Sequence, residues 1–432
     1  MAQRRFTWGT ALVALGLVAA AGSRTPADNI TIEVPTIRAA DGGVSRGVLY
    51  WDPAKRPKTV VVSMHPSSDN QRHFVLRPAA EHGYAGFGLA GRYTGQDAAV
   101  HEPVLLDLAA AIKWLKEERG FTQVVLVGHS GGGSLMAYYQ SQAVTPPPGR
   151  YKATPAGDPP DLNAYTLIPA DGVAILNASE GEGLHVEHHL DPSIVREDDP
   201  LSIDPSLDMY NPENGFVEPP AVSHYSPEFV QRFRQAQKDR DRRLTAWARS
   251  VVGERNYYRA LLKEPGFAAL PLARRQYIER RADHLPVMVL YRSEADLAYT
   301  DLSMDPSDRV VGSNYGLRPD RRNYSQDARV RTLRPDAYLS TMSGTASYAR
   351  LHDNIKKVTV PTLVLGGTAD RGIFPSEQKM TFQMSGAKDK TIEWIEGGDH
   401  GFGPSGPKAG DGKQQERAAA AVLAWMDKRF PK

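Results

Sequence analysis

The sequence contains no cysteine in 432 residues. That excludes disulfides, thiolate metal sites, a cysteine nucleophile and a lipid-modified N-terminal cysteine. Charge of one sign is also lacking: 52 Lys and Arg stand against 50 Asp and Glu, a formal net charge of +2. A balance this even gives no basis for a nucleic acid or an acidic surface as partner. Long hydrophobic runs are scarce. The one candidate, Thr10 to Ala21 behind Arg4-Arg5, falls well short of the ~20 apolar residues that a helix needs to cross a bilayer. With the small residues Ala20-Ala21-Gly22 after it, it reads as a signal peptide over residues 1–22, cut before Ser23. The expectation is an exported protein, periplasmic or secreted, with no stable membrane span after cleavage. No internal repeat is visible.

What is present is one apolar, β-branched run, Gln123-Val124-Val125-Leu126-Val127, entering Gly128-His129-Ser130-Gly131-Gly132 and then the helix-forming Leu135-Met136-Ala137-Tyr138-Tyr139. Strand, G-x-S-x-G and helix in that order describe a strained turn that lifts a serine hydroxyl clear of a sheet edge. Around it the chain alternates. Strands are expected over Ile30 to Arg38, Gly47 to Trp51, Lys58 to Met64, Tyr84 to Arg92, Gly172 to Leu176, Pro361 to Leu365 and Thr391 to Ile395. Helices are expected over Asn70 to His82, Glu102 to Glu118 and Gln415 to Arg429. Such alternation predicts an α/β fold, with a mostly parallel twisted sheet covered by helices on both faces.

Between residues 178 and 356 the alternation dissolves. The stretch begins acidic and then turns basic and helical, with Ser226-Pro227-Glu228 as a helix start. The basic helix is expected to pack against the acidic stretch, with an anionic substrate surface as the alternative. The division that follows is a first core segment over 23–177, a large and mainly helical cap insertion over 178–356, and a second core segment over 357–432.

A serine hydroxyl needs an imidazole to take its proton and a carboxylate to orient that imidazole. Asp370 follows the strand Pro361 to Leu365, and His400 follows the strand ending near Ile395. The order Ser130, Asp370, His400 is the chain order of one known hydrolase architecture. Asp399 is adjacent to His400 and so poorly placed to reach its ring; Glu180 is the acid of second choice. In the loop His65-Pro66-Ser67, Pro66 has no N–H, so the Ser67 amide is the expected oxyanion donor, paired with that of Gly131. His65, His129, Glu180, His185 and His189 are candidate substrate contacts, although a His at the position of His65 more often hydrogen-bonds its loop and keeps it in place.

These residues resemble the α/β-hydrolase superfamily over about 45–177 and 357–430: Gly128 to Gly132 for the elbow, Gly366-Gly367-Thr368-Ala369-Asp370 for the acid and Gly398-Asp399-His400-Gly401-Phe402 for the base. The resemblance implies the α/β-hydrolase fold and cleavage of a small-molecule carboxylic ester through an acyl-enzyme intermediate, with no cofactor and no metal. Amide, peptide or carbon–carbon bond hydrolysis, and a non-catalytic binding protein on the same scaffold, are the alternatives. Two features depart from the family pattern: His65-Pro66 where many members have His-Gly, and the long segment 178–356.

Three other signals compete. Gly86-Phe87-Gly88-Leu89-Ala90-Gly91 matches a dinucleotide fingerprint but sits inside an expected strand. His185, Glu187, His188 and His189 cluster without zinc-ligand spacing. Trp247, Tyr257 and Tyr258 on the basic helix are expected in a core rather than on a stacking surface.

Overall fold

The computed structural model describes residues 29–325 and 332–432; the signal peptide expected over residues 1–22 lies outside them. Two short strands, β1 (Thr31–Glu33) and β2 (Thr36–Arg38), pair antiparallel with β3 (Val44–Trp51). Pro35 divides what the sequence suggests as one strand, because it cannot donate to a ladder. Then come β4 (Thr59–Met64), β5 (Ala85–Ala90), β6 (Gln123–His129) and β7 (Gly172–Leu176). Two ribbons follow, β8 (Ile194–Arg196) with β9 (Asp199–Ile203), and β10 (Met288–Val289) with β11 (Thr332–Leu333). β12 (Thr362–Gly367) and β13 (Lys390–Ile395) complete the main sheet, whose order is β1-β3-β5-β4-β6-β7-β12-β13. From β5 to β13 every neighbour is parallel.

The crossovers are α1 (Leu76–His82), α2 (His101–Glu117) and α3 (Gly131–Ala143). The insertion carries α4 (Glu182–His189), α5 (Pro227–Leu261), α6 (Leu272–Asp283), α7 (Pro319–Arg322), α8 (Pro335–Ala337) and α9 (Leu351–Asn354). α10 (Pro375–Met384) joins β12 to β13, and α11 (Gln414–Asp427) closes the chain.

Side chains alternate across a strand, so the central strands feed two cores. Val60, Val62, Val124 and Leu126 face α2 and α3 with Leu105, Leu108, Ile112 and Met136. Val61, Val125, Val127, Leu363 and Leu365 face α1 and α11 with Ala79, Val422 and Met426. Burial on both sides is why these strands read as unbroken apolar runs; each such side chain contributes about 1.5–3 kcal/mol. This is the α/β-hydrolase fold.

The glycines of the dinucleotide-like motif lie within β5. A Cβ on Gly86 would come 2.2 Å from the Leu76 carbonyl oxygen, so glycine there admits α1 against the strand. The insertion is less helical than expected. Leu290 to Arg318 runs irregularly apart from one 3₁₀ turn at Leu297–Tyr299, because short polar side chains satisfy the local backbone: Asp296 accepts from the Ala298 N–H and Asp301 from the Ser303 N–H. α5 starts where the sequence indicates, with the Ser226 hydroxyl accepting from the Phe229 N–H. Its arginines pair partly with the acidic stretch, Arg240 with Glu197 at 2.7 Å, and partly elsewhere, Arg234 with Asp296 at 2.9 Å and Arg255 with Asp158 at 2.6 Å. Trp247 and Tyr257 are exposed rather than in a core. Leu244, Ala248 and Val252 take the buried face of α5, and the helical period turns Trp247 and Tyr257 outward. At the far end of the insertion, Ala349, Leu351 and Ile355 already pack into the core of α2 and α3.

Candidate active site

Ser130 occupies the tip of the turn from β6 into α3 with φ 56° and ψ −129°, a strained backbone that costs about 1–3 kcal/mol. Two glycines make room for it. A Cβ on Gly128 would lie 2.4 Å from the Gly132 carbonyl oxygen, and one on Gly132 would lie 2.6 Å from that of Met64. The Ser130 N–H donates to the Leu176 carbonyl at 3.0 Å, fastening the turn to β7.

His400, on the loop after β13, brings Nε2 to 2.9 Å from Ser130 Oγ and Nδ1 to 2.8 Å from Asp370 Oδ2. Asp370, in the turn after β12, is 1% exposed. Its Oδ1 accepts from the N–H groups of Gly372 and Ile373 at 2.8 and 3.1 Å and from Asn314 Nδ2 at 3.2 Å. Those three donors fix the carboxylate, which fixes the tautomer: Nδ1–H donates to Asp370, leaving Nε2 to accept from the serine. Asp399 is a turn residue, its Oδ1 accepting from the Gly401 and Gly403 N–H groups.

The cavity in front of Ser130 has a volume of about 620 Å³ and is lined by His65, Gly131, Glu182, His185 and Asn314 among others. Gly131 opens α3, and among the described residues no backbone acceptor pairs with its N–H. The Ser67 amide, expected beside it as an oxyanion donor, is directed elsewhere: it donates to His65 Nδ1 at 3.2 Å. Pro66 supplies no N–H, and the chain folds back so that Ser67 closes a ring on the imidazole two residues earlier.

Three other expected substrate contacts are also placed differently. His129 faces away from the cavity: its Nε2 lies 2.6 Å from the His400 carbonyl oxygen, and its ring packs on those of Phe74 and Phe402. Burial, reinforced by the nearby His400 and His73, holds it neutral with a pKa well below the usual imidazole range. Glu180 pairs with His188 Nδ1 at 2.6 Å and lines a neighbouring cavity of about 440 Å³. Burial opposes the Glu180 charge, but the His188 contact outweighs it and the pKa falls. His189 lines that second cavity as well, with Nε2 3.8 Å from Asp296. His185 borders both cavities.

Sequence reasoning missed Glu182, His101, Asn177 and Asn314. Glu182 sits in the first turn of α4 over the turn that carries Ser130: a Cβ on Gly131 would be 2.5 Å from its Oε1. Its other oxygen lies 3.4 Å from the Nε2 of the buried His101. Burial works against a charge on His101, yet Glu182 outweighs it and raises the pKa. Asn177 accepts the Gly367 N–H at 2.7 Å. No motif marks these four, since each acts through a contact made only by the folded chain. Among the described residues, no group of three or more His, Asp or Glu is arranged to hold a metal ion, and no helix is long and apolar enough to cross a membrane.

A family model described as serine aminopeptidase, S33, matches residues 317–402, about a fifth of the chain, a span that includes Asp370 and His400 but not Ser130. None of the curated proteins matches the sequence. Among solved structures, the esterase domain of a Rhodothermus marinus protein aligns over 92% of this chain and 98% of its own at 12% identity, with a TM-score of 0.43. An esterase from Pyrococcus furiosus aligns over 95% of each chain at 11% identity, with a TM-score of 0.41. Est1E from Butyrivibrio proteoclasticus aligns over 91% and 98% at 12% identity, with a TM-score of 0.43.

Proposed function

We propose that this member of the α/β-hydrolase superfamily is a serine hydrolase that cleaves a carboxylic ester through an acyl-enzyme intermediate. One observation carries the reading: Ser130 Oγ, His400 and Asp370 form a continuous chain of contacts at 2.9 and 2.8 Å, at the C-terminal edge of the parallel strands. Ser130 attacks the carbonyl carbon while its proton passes to His400 Nε2. The tetrahedral adduct collapses, and the alkoxide departs with that proton. Water then enters by the same route and releases the acid. An ester makes the smaller demand on the site, because an alkoxide is a far better leaving group than an amide nitrogen, while His400 supplies one proton to either. The second reading, cleavage of an amide, is supported by the description of the partly matching family.

Ser130→Ala tests the proposal on a short nitrophenyl ester and on the matching anilide. Losing a nucleophile that works as part of a unit costs on the order of 10⁶ in turnover, and a fluorophosphonate probe would no longer label the protein. Ester turnover within tenfold of wild type in the variant would sink the assignment. Anilide turnover exceeding that of the ester would move it to the amide. We also propose, from the leader pattern of residues 1–22, that the mature protein acts outside the cytoplasm. N-terminal sequencing from an exporting host should find Ser23 or a neighbour first, and an intact Met1 in the cytosol would refute this.

A further inference from the structure

The loop after β4 poses a problem that the serine hydrolase reading leaves open. Such an enzyme needs two donors for the developing oxyanion, and Gly131 offers one, since among the described residues no backbone acceptor pairs with its N–H. The next amide in the expected place, that of Ser67, is 3.2 Å from His65 Nδ1, and Pro66 has none to give.

We infer that the His65 side chain is the second oxyanion donor, its Nε2–H acting together with the Gly131 N–H. Three observations lead there. The Ser67 amide can only donate, so His65 Nδ1 is an acceptor and the single proton of a neutral ring must sit on Nε2. Burial keeps the ring neutral by lowering its pKa, against the pull of Glu182. Finally, Nε2 stands over the residue after the nucleophile: a Cβ on Gly131 would lie 2.8 Å from it, and His65, Ser130 and Gly131 line one cavity. The nearest carboxylate oxygen to Nε2, Glu182 Oε1, is 4.0 Å away, too far for a hydrogen bond. The negative charge of Glu182 is offset on its other side by His101.

The step balances without a co-reactant. As Ser130 Oγ bonds to the carbonyl carbon, the π pair moves onto the carbonyl oxygen, which then accepts from Gly131 N–H and His65 Nε2–H. The serine proton is on His400, and when the adduct collapses the pair returns and the alkoxide leaves with that proton. The Ser67 amide thus acts one step back, as the group that selects the imidazole tautomer.

This rests on the serine hydrolase reading, and the test separates the two. The measurements are kcat and KM on a nitrophenyl ester, and the inhibition constant of a trifluoromethyl ketone, for wild type, Ser130→Ala and His65→Ala, Gln and Asn. A Gln amide nitrogen reaches about the position of Nε2, whereas an Asn amide overlays Nδ1 and can keep only the Ser67 contact. Removing one oxyanion donor costs roughly 10²–10³ in kcat. His65→Ala and His65→Asn should both show that loss with KM within about threefold, while His65→Gln should recover at least tenfold, and ketone affinity should fall in step with kcat. Recovery by Asn and not Gln would make His65 a loop-fixing residue and overturn the inference, as would kcat within threefold of wild type in His65→Ala. If His65→Ala fails to fold, the Gln and Asn pair decides alone. Turnover persisting in Ser130→Ala would instead remove the serine hydrolase reading itself.

Discussion

Asn177 Nδ2 lies 3.0 Å from the carbonyl oxygen of His400, and equally 3.0 Å from that of Asp399. Its Oδ1 accepts the Gly367 N–H, so one side chain at the end of β7 ties the end of β12 to the loop that carries the imidazole. Asn177 holds φ at 39°, a conformation that asparagine tolerates better than most residues. His129 braces the same loop through the His400 carbonyl. The position of the His400 ring is therefore set by contacts on the far side of its own peptide.

Asn177→Ala should lower kcat by at least tenfold with little change in KM. It should also destabilise the fold by about 1–3 kcal/mol, the cost of leaving buried backbone groups unpaired. Asn177→Asp keeps an acceptor for Gly367 but turns a carboxylate toward two carbonyl oxygens, and should be the worse variant. Turnover and urea midpoints measured together check this. Wild-type kcat in Asn177→Ala would mean that the loop holds itself.

His73 gives the protein an acid sensitivity of definite sign. Its two ring nitrogens are buried without a hydrogen-bond partner among the described residues, and burial lowers its pKa from 6.5 to about 4. The unfolded chain therefore binds a proton below about pH 6.5 that the folded chain refuses until near pH 4. Stability from this group is complete above pH 6.5 and is lost as pH falls through that window, about 2 kcal/mol by pH 5. The ring packs against Phe74 and His129, which suits an apolar replacement. His73→Phe should raise Tm relative to wild type more at pH 5 than at pH 8. An equal shift at the two pH values would contradict the assignment. His129, also pushed down, should add to the same trend, while the raised pKa of His101 works against it.

The insertion is held by a buried ion pair. Arg292 Nη2 lies 2.6 Å from Asp191 Oδ2, both side chains almost fully enclosed, and Asn323 Nδ2 donates to the same oxygen at 2.6 Å. Removing one partner of such a pair costs about 3–5 kcal/mol because the other charge is left buried alone. Asp191→Ala should therefore loosen the insertion first. Hydrogen exchange should quicken in β8, β9 and α5 and stay slow in β4, β6 and β7. Uniform loss of protection would show that insertion and core unfold as one unit.

The sheet was legible in the sequence because its central strands are buried on both faces, which leaves an apolar signature that no surface strand has. Gly172 to Leu176 matches β7 residue for residue, and most other strand ends differ by one or two residues. The meeting of Ser130, Asp370 and His400 was legible because a sharp turn demands glycine neighbours and because loops after parallel strands gather at one edge. The walls of the cavity were legible only in part: His65 and His185, read as candidate substrate contacts, line it, whereas others were missed. Glu182 and Asn314 come from the insertion, whose path depends on Asp and Ser side chains bonding nearby backbone, and such bonds have no period. Ser67 was misread for a local reason: its position in the chain was right, but the direction of its N–H was set by an imidazole two residues earlier.

If the protein cleaves esters as proposed, which ester is accepted should depend on His185. It borders the cavity of about 620 Å³ in front of Ser130 on one side and the second cavity of about 440 Å³ on the other. α4 carries it straight off the end of β7, so the side chain stands between the two spaces where an acyl or alcohol chain leaving Ser130 would run. The second cavity is walled by Glu180, His188, Arg234 and Asp296, so a chain entering it must tolerate polar walls. His185→Ala should join the two spaces and let longer groups in. One methylene in a fitted pocket is worth about 1–3 kcal/mol, so the ratio of kcat/KM for a long-chain over a short-chain ester should rise by tens-fold. Labelling of Ser130 by a small fluorophosphonate should stay within a few-fold of wild type, since the reacting groups are untouched. A graded nitrophenyl ester series on wild type, His185→Ala and His185→Phe measures this, with the Phe variant expected to shift preference toward short chains. If all three profiles coincide, the partition lies elsewhere, and Tyr315, which also lines the cavity in front of Ser130, becomes the residue to change next.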